Sequence, residues 1–225
     1  CGESGSTLRF MIPIGLLQKE SITFTGRNRL VERPLDVYMD LFKTKRIKYS
    51  HPEQQSLPLT IQGKLRPGYY HVLGNVSSQF ITGLLFALPL LEKDSVIEHT
   101  TPLESKGYID LTLDVLTNFG IHVLYVEPYF YIKGNQKYTP GDFKIEGDFS
   151  QAAFWFVAGV MGEGLQLSNL NPQSKQGDAS IIEVLRSMQA EITYDYQNHL
   201  YDVKASQTHS TTIDLKDIPD LGPIL

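Results

Sequence analysis

LGNVSSQFITGLLFALPLL (Leu73–Leu91) sets two serines and a glutamine directly before a long apolar run. Small hydrogen-bonding side chains in that place mark the start of a buried helix, because they satisfy the N–H groups that its first turn leaves unpaired. The chain repeats this arrangement. Ser6, Ser78 and Ser150 are each 72 residues apart (78 − 6 and 150 − 78), and Ser4, Val76, Asp148 and Asp220 keep the same step. The stretches SGSTLRFMIPIGLLQKESITF and GDFSQAAFWFVAGVMGEGLQLSN, starting at Ser4 and Gly147, are the other copies, and a fourth begins at KDIPDLGPIL.

Each copy reads in the same order. An apolar helix leads into a short β-prone stretch (Ser21–Phe24, Ser95–Glu98, Leu165–Ser168). A second, amphipathic helix follows, carried by Leu35, Met39 and Phe42, by Ile109, Leu113 and Leu116, or by Ile181, Leu185 and Met188. Gly120 suits the stop of the middle one. Alternating strands such as LPLTIQG and YFYIKG close the units. The fold class is therefore α+β, built from repeated α/β units of about 70 residues, longer than the roughly 20–50 residues of common solenoid repeats. Pro13 should kink or shorten the first helix. The leading helix of each unit is apolar on nearly all sides, so it is expected to be buried by its repeat neighbours.

The totals exclude several function classes. Of 225 residues, 41% are hydrophobic and 20% charged, ordinary for a globular protein with a real core. A net charge of −5 argues against a general nucleic-acid binder, which needs a basic face. No apolar run reaches the ~20 residues of a membrane span. One cysteine, Cys1, permits no internal disulfide and fits a reducing compartment. Trp155 and the six histidines show no ligand spacing, so no metal site is expected. The start carries no signal or transit peptide, and the end stops as another apolar run begins; the chain reads as a piece of a longer protein.

The repeated helix starts admit two readings. A serine before a helix ordinarily only caps it. Yet helix N-termini gathered at one point form an anion site, through unpaired N–H groups and the positive end of the helix dipole. Doubled serines followed by Gln79, recurring in kind at a fixed period, add weight to phosphate binding. From the residues alone both stay open.

The motifs GESGSTLRF, RNRLVERPLD, GNVSSQF, SKGYIDLT, EGDFSQAAF, KQGD and IPD stand in an order and spacing that resemble the 5-enolpyruvylshikimate-3-phosphate synthase family over essentially the whole chain. The related UDP-N-acetylglucosamine enolpyruvyl transferases share the repeat fold, but their mobile-loop cysteine and nucleotide-sugar motifs are absent. A non-catalytic repeat domain binding another phosphorylated ligand is the remaining alternative; it would have no need of Gln79, Arg33, Tyr108 and Asp220 together.

The resemblance implies transfer of the enolpyruvyl group of phosphoenolpyruvate to the 5-hydroxyl of shikimate 3-phosphate, in aromatic amino acid biosynthesis. It implies no metal or organic cofactor, and family members are the target of glyphosate. Partners are the two small-molecule substrates, and a cytoplasmic monomer is expected. Residues 1–146 would be two repeats of the N-terminal lobe, and 147–225 the first repeat of the C-terminal lobe plus the start of the next.

By the same resemblance, Ser77, Ser78, Gln79, Ser105, Tyr108 and Asp220 belong to the shikimate 3-phosphate site. Gly5, Arg33 and Gln79 belong to the phosphoenolpyruvate site, Gly5 because a Cβ would intrude on the ligand. Read by itself, Arg33 suits a surface salt bridge with Glu32; the family match makes it a phosphate-holding guanidinium. Asp220 is the catalytic candidate, a base for the 5-hydroxyl, since a neutral alcohol needs its proton removed as it attacks. Asp148 is read as a cap. The family's N-terminal Lys-Ser motif and its C-terminal cationic residues have no match here, so the chain alone is expected to be inactive.

Overall fold

The computed structural model describes residues 1–225, which divide into two compact units: Cys1–Glu104 with Thr112–Pro140, and Ser105–Leu111 with Gly141–Leu225. In the first unit lie helices α1 (Gly5–Gly15), α2 (Asp36–Lys45) and α3 (Ser78–Ala87), and strands β1 (Ile22–Phe24), β2 (Lys48–Ser50), β3 (Leu59–Gln62), β4 (Gly68–Val72), β5 (Ser95–His99), β6 (Val123–Val126) and β7 (Tyr129–Ile132). Helix α4 (Lys106–Asn118) has its first turns in the second unit and the rest in the first. The second unit also holds α5 (Phe149–Met161), α6 (Ile181–Ser187), β8 (Leu165–Ser168), β9 (Ile192–Asp195) and β10 (Leu200–Val203).

The repeat is visible in the sheets. Three strands from each copy pair in the order first–third–second, antiparallel throughout: β1-β3-β2, β5-β7-β6 and β8-β10-β9. The middle sheet gains β4 as a parallel neighbour of β5. Equivalent registers recur as Ile22↔Ile61, Ser95↔Ile132 and Leu165↔Val203. Gly120, at φ +79, ends the middle amphipathic helix, a conformation that side chains with a Cβ rarely adopt. No helix is long and apolar enough to cross a membrane.

In the first unit α1 packs along α3. Gly83 makes the approach close: a Cβ there would stand 2.5 Å from the Tyr38 hydroxyl and 2.6 Å from the Arg9 carbonyl oxygen. Helix α1 continues through Pro13 and ends two residues later. Proline removes the N–H that would close onto the carbonyl four residues back, which is that of Arg9. The hydroxyl of Tyr38 takes its place, donating to the Arg9 carbonyl at 2.7 Å, with the Phe80 carbonyl at 3.2 Å. Tyr38 is fully buried from α2, edge-on to Phe80, and burial holds its phenol well above the ordinary tyrosine value. The hydroxyl therefore keeps its proton and remains a donor.

In the second unit α5 lies on the β8-β10-β9 sheet through Phe149, Ala153, Phe156 and Val160, with Ile181, Leu185, Tyr201 and Leu221 closing the core. Here the expectation of an all-round buried helix fails. Phe154, Trp155 and Met161 are exposed, Met161 at 80%. Helix α3 is covered because α1 lies against it; the second unit contains one leading helix only, and its outer face has no such neighbour.

Candidate functional site

In the first unit, the N-terminal turns of α1 and α3 stand side by side. Ser4 caps α1 by accepting from the Thr7 N–H at 3.1 Å, and Ser77 caps α3 by accepting from the Gln79 N–H at 3.3 Å. Ser78, the first helical residue of α3, is buried. Gln79 joins the two helices: its Nε2 donates to Ser6 Oγ at 2.9 Å, and its Oε1 accepts from Arg9 Nη1 at 2.8 Å.

Positive charge concentrates at the same ends. Arg9, one turn into α1, lies 4.7 Å over the Phe80 ring and also reaches the Pro34 carbonyl. Arg33, exposed at the end of a short 3-10 turn (Asn28–Glu32), runs against Gly5, where a Cβ would stand 2.8 Å from its Nη1. Burial first, and the neighbouring Arg33 charge second, hold the Arg9 guanidinium below the ordinary arginine value. Arg33 makes no ion pair with Glu32. Two guanidiniums at the positive ends of two helices favour an anion.

The second unit gathers the other residues. Ser105, in the left-handed region at φ 56, precedes α4, and its carbonyl accepts from the Tyr108 N–H. Gly107 brings this turn against the backbone of Gly177. Tyr108 donates to Asp220 Oδ2 at 3.0 Å; Asp220 lies in a short exposed 3-10 turn (Pro219–Leu221). Behind Tyr108, the buried carboxylate of Asp178 accepts from Ser150 Oγ. Burial raises the Asp178 carboxyl above its ordinary value; the Ser150 hydrogen bond opposes this, and the charges of Asp220 and Asp148 add to it. Burial, then Asp178 and Asp220, likewise push the Tyr108 phenol up, so it donates at any working pH. Asp148 caps α5, accepting from the Ser150 and Gln151 N–H groups at 2.8 and 3.3 Å.

Gly5, Arg33, Ser77, Ser78 and Gln79 thus belong to the first unit, and Ser105, Tyr108 and Asp220 to the second. Two participants escaped the sequence reading. Arg9 was signalled by a charge inside an apolar helix, four residues after Gly5. Asp178 was signalled by the acid of KQGD. No group of three or more His, Cys, Asp or Glu side chains is placed to hold a metal ion.

The fold is an α+β repeat architecture of the enolpyruvyl transferase kind, present in part. The profile of EPSP synthase (3-phosphoshikimate 1-carboxyvinyltransferase) matches residues 1–225, and the chain belongs to that family. The 3-phosphoshikimate 1-carboxyvinyltransferase of Clostridium novyi is 52% identical over 230 residues, covering 100% of this chain and 51% of that relative. The one from Clostridium kluyveri is 52% identical over 228 residues, covering 100% of this chain and 52% of its own length. EPSP synthase from Acinetobacter baumannii shares the fold with a TM-score of 0.78 at 22% identity, over 99% of this chain and 52% of the other. The chain spans about half the length of the curated relatives it matches.

Proposed function

We propose that this chain supplies substrate-binding and catalytic residues of a 3-phosphoshikimate 1-carboxyvinyltransferase, which moves the enolpyruvyl group of phosphoenolpyruvate to the 5-hydroxyl of shikimate 3-phosphate with release of phosphate. Ser77, Ser78, Gln79, Ser105 and Tyr108 serve shikimate 3-phosphate, Ser77 and Ser78 at its phosphate, and Asp220 meets its ring hydroxyls. Gly5, Arg33 and Gln79 serve phosphoenolpyruvate. Asp220 takes the 5-hydroxyl proton, and its hydrogen bond from Tyr108 fixes one carboxylate oxygen for that task. Residues 1–146 and 147–225 are assigned to the two lobes of the whole enzyme, a cytoplasmic monomer.

The observation that carries this reading is the convergence of Arg9, Arg33 and the first turns of α1 and α3, bridged by Gln79. Such an arrangement is electrostatically unfavourable without an anion. The test is calorimetric titration of the chain with shikimate 3-phosphate, against unphosphorylated shikimate and UDP-N-acetylglucosamine. Saturable heat that requires the 3-phosphate and weakens in Ser78→Ala is the expected result. Heat from the nucleotide sugar instead, or none from a folded chain, would overturn the assignment. Steady turnover is not expected from the chain by itself, because the remaining cationic groups of the family site have no counterpart in it.

A further inference from the structure

We infer that Arg9 is a positioning residue that fixes the polarity of the Gln79 amide, so that Gln79 meets its ligand as a hydrogen-bond donor. The inference deepens the function proposed above and rests on it. A primary amide can lie in either of two nearly isosteric orientations, and only its partners decide between them. Ser6 does not decide, because a hydroxyl accepts or donates equally well. A guanidinium has donors only, so the oxygen of Gln79 must face Arg9; the reverse orientation would oppose N–H to N–H. Arg9 is itself held in place, with its ring contact to Phe80 and its second bond to the Pro34 carbonyl.

With Oε1 occupied by Arg9 and one Nε2 hydrogen on Ser6, the second N–H of Gln79 is left for a ligand. Charge on Arg9 also polarises the amide, which strengthens that N–H as a donor. The ligand atom it selects is therefore an acceptor: a phosphate, carboxylate or ether oxygen. Arg9 acts on the ligand through Gln79.

Two measurements test this. In the ligand-free chain, proton NMR should show Gln79 side-chain amide protons close to Ser6 Hβ, and this proximity should be lost in Arg9→Met and kept in Arg9→Lys. Gln79 amide protons adjacent to the Arg9 guanidinium protons would overturn the assignment. In shikimate 3-phosphate titrations, Arg9→Met and Gln79→Ala should each weaken affinity about tenfold. The double variant should be no weaker than Gln79→Ala, since Arg9 then has nothing to orient. Gln79→Glu, which pairs with Arg9 and presents only acceptors, should abolish binding.

Losses that multiply in the double variant would mean that Arg9 acts directly or through the fold, and the inference falls. A parent chain that binds no shikimate 3-phosphate would defeat the functional reading instead, and the amide proximities would still decide the orientation.

Discussion

Removing one buried oxygen, in Tyr38→Phe, isolates the device that lets α1 carry a proline where it meets α3. Tyr38 is 1% exposed, and its hydroxyl serves the carbonyl that Pro13 deprives of a helical donor. Phenylalanine keeps the ring contact with Phe80 and leaves the part-buried Arg9 carbonyl without a donor, a cost of about 1–3 kcal/mol. The cost should depend on Pro13. In Pro13→Ala the N–H of residue 13 returns and can close onto Arg9, so Tyr38→Phe then gives up only an ordinary hydrogen bond, about 1 kcal/mol or less. Native-state hydrogen exchange of the α1 and α3 amides is the appropriate assay, since it reports the first unit separately from the second. Equal losses in the proline and alanine backgrounds, within ~0.3 kcal/mol, would refute the reasoning, because independent sites add.

Gly83→Ala should destabilise the same unit by about 1–3 kcal/mol or more in denaturant unfolding, since its Cβ meets the Tyr38 hydroxyl and a backbone carbonyl, and neither can yield. Gly5→Ala meets only the far end of the Arg33 side chain, so stability should change by less than about 0.5 kcal/mol, while phosphoenolpyruvate affinity measured by calorimetry falls. Unchanged affinity would remove Arg33 from the site. For Asp178, whose native carboxyl is raised above 3.8, the folded state retains a proton that the unfolded chain has lost, so stability decreases as pH rises from the unfolded value to the raised native one. Unfolding of the second unit, followed by Trp155 fluorescence, should show that decrease in the parent and a flatter profile in Asp178→Asn.

The period of 72 residues made the repeat legible, down to the strand after each leading helix, whose start falls within one residue of the expected stretch. Period and apolar content are local properties that neighbouring structure need not contradict. Burial of the leading helices was only half legible, because periodicity says that a helix is apolar all round but not whether a second helix lies against it. Thus Leu84 is buried on α3 while Trp155 is exposed on α5, in equally apolar runs. Arg9 and Asp178 were missed for another reason. Each acts through side chains distant in sequence, Gln79 being 70 residues from Arg9 and Ser150 being 28 from Asp178. No spacing rule announces such partners. The rescue of the Pro13 helix by Tyr38 is of the same kind: the orphaned carbonyl is predictable, its donor is not.

The arginine pair argues for function through its own cost. Arg9 is desolvated beside Phe80, and Arg33 adds a like charge at the positive end of α1 that makes the Arg9 charge less favourable still. Packing alone would be served as well by a neutral side chain at position 33, which lies exposed and holds no ion pair with Glu32. An anion reverses the balance, because it is attracted by the exposed Arg33 and by both helix ends, with Arg9 acting on it through Gln79. It follows that Arg33→Met should leave the unliganded first unit as stable as the parent or more so, while the protection that phosphoenolpyruvate gives against unfolding disappears. A purely structural arginine predicts the opposite pattern: a less stable unliganded unit whose response to the ligand is unchanged. Hydrogen exchange with and without phosphoenolpyruvate separates the two.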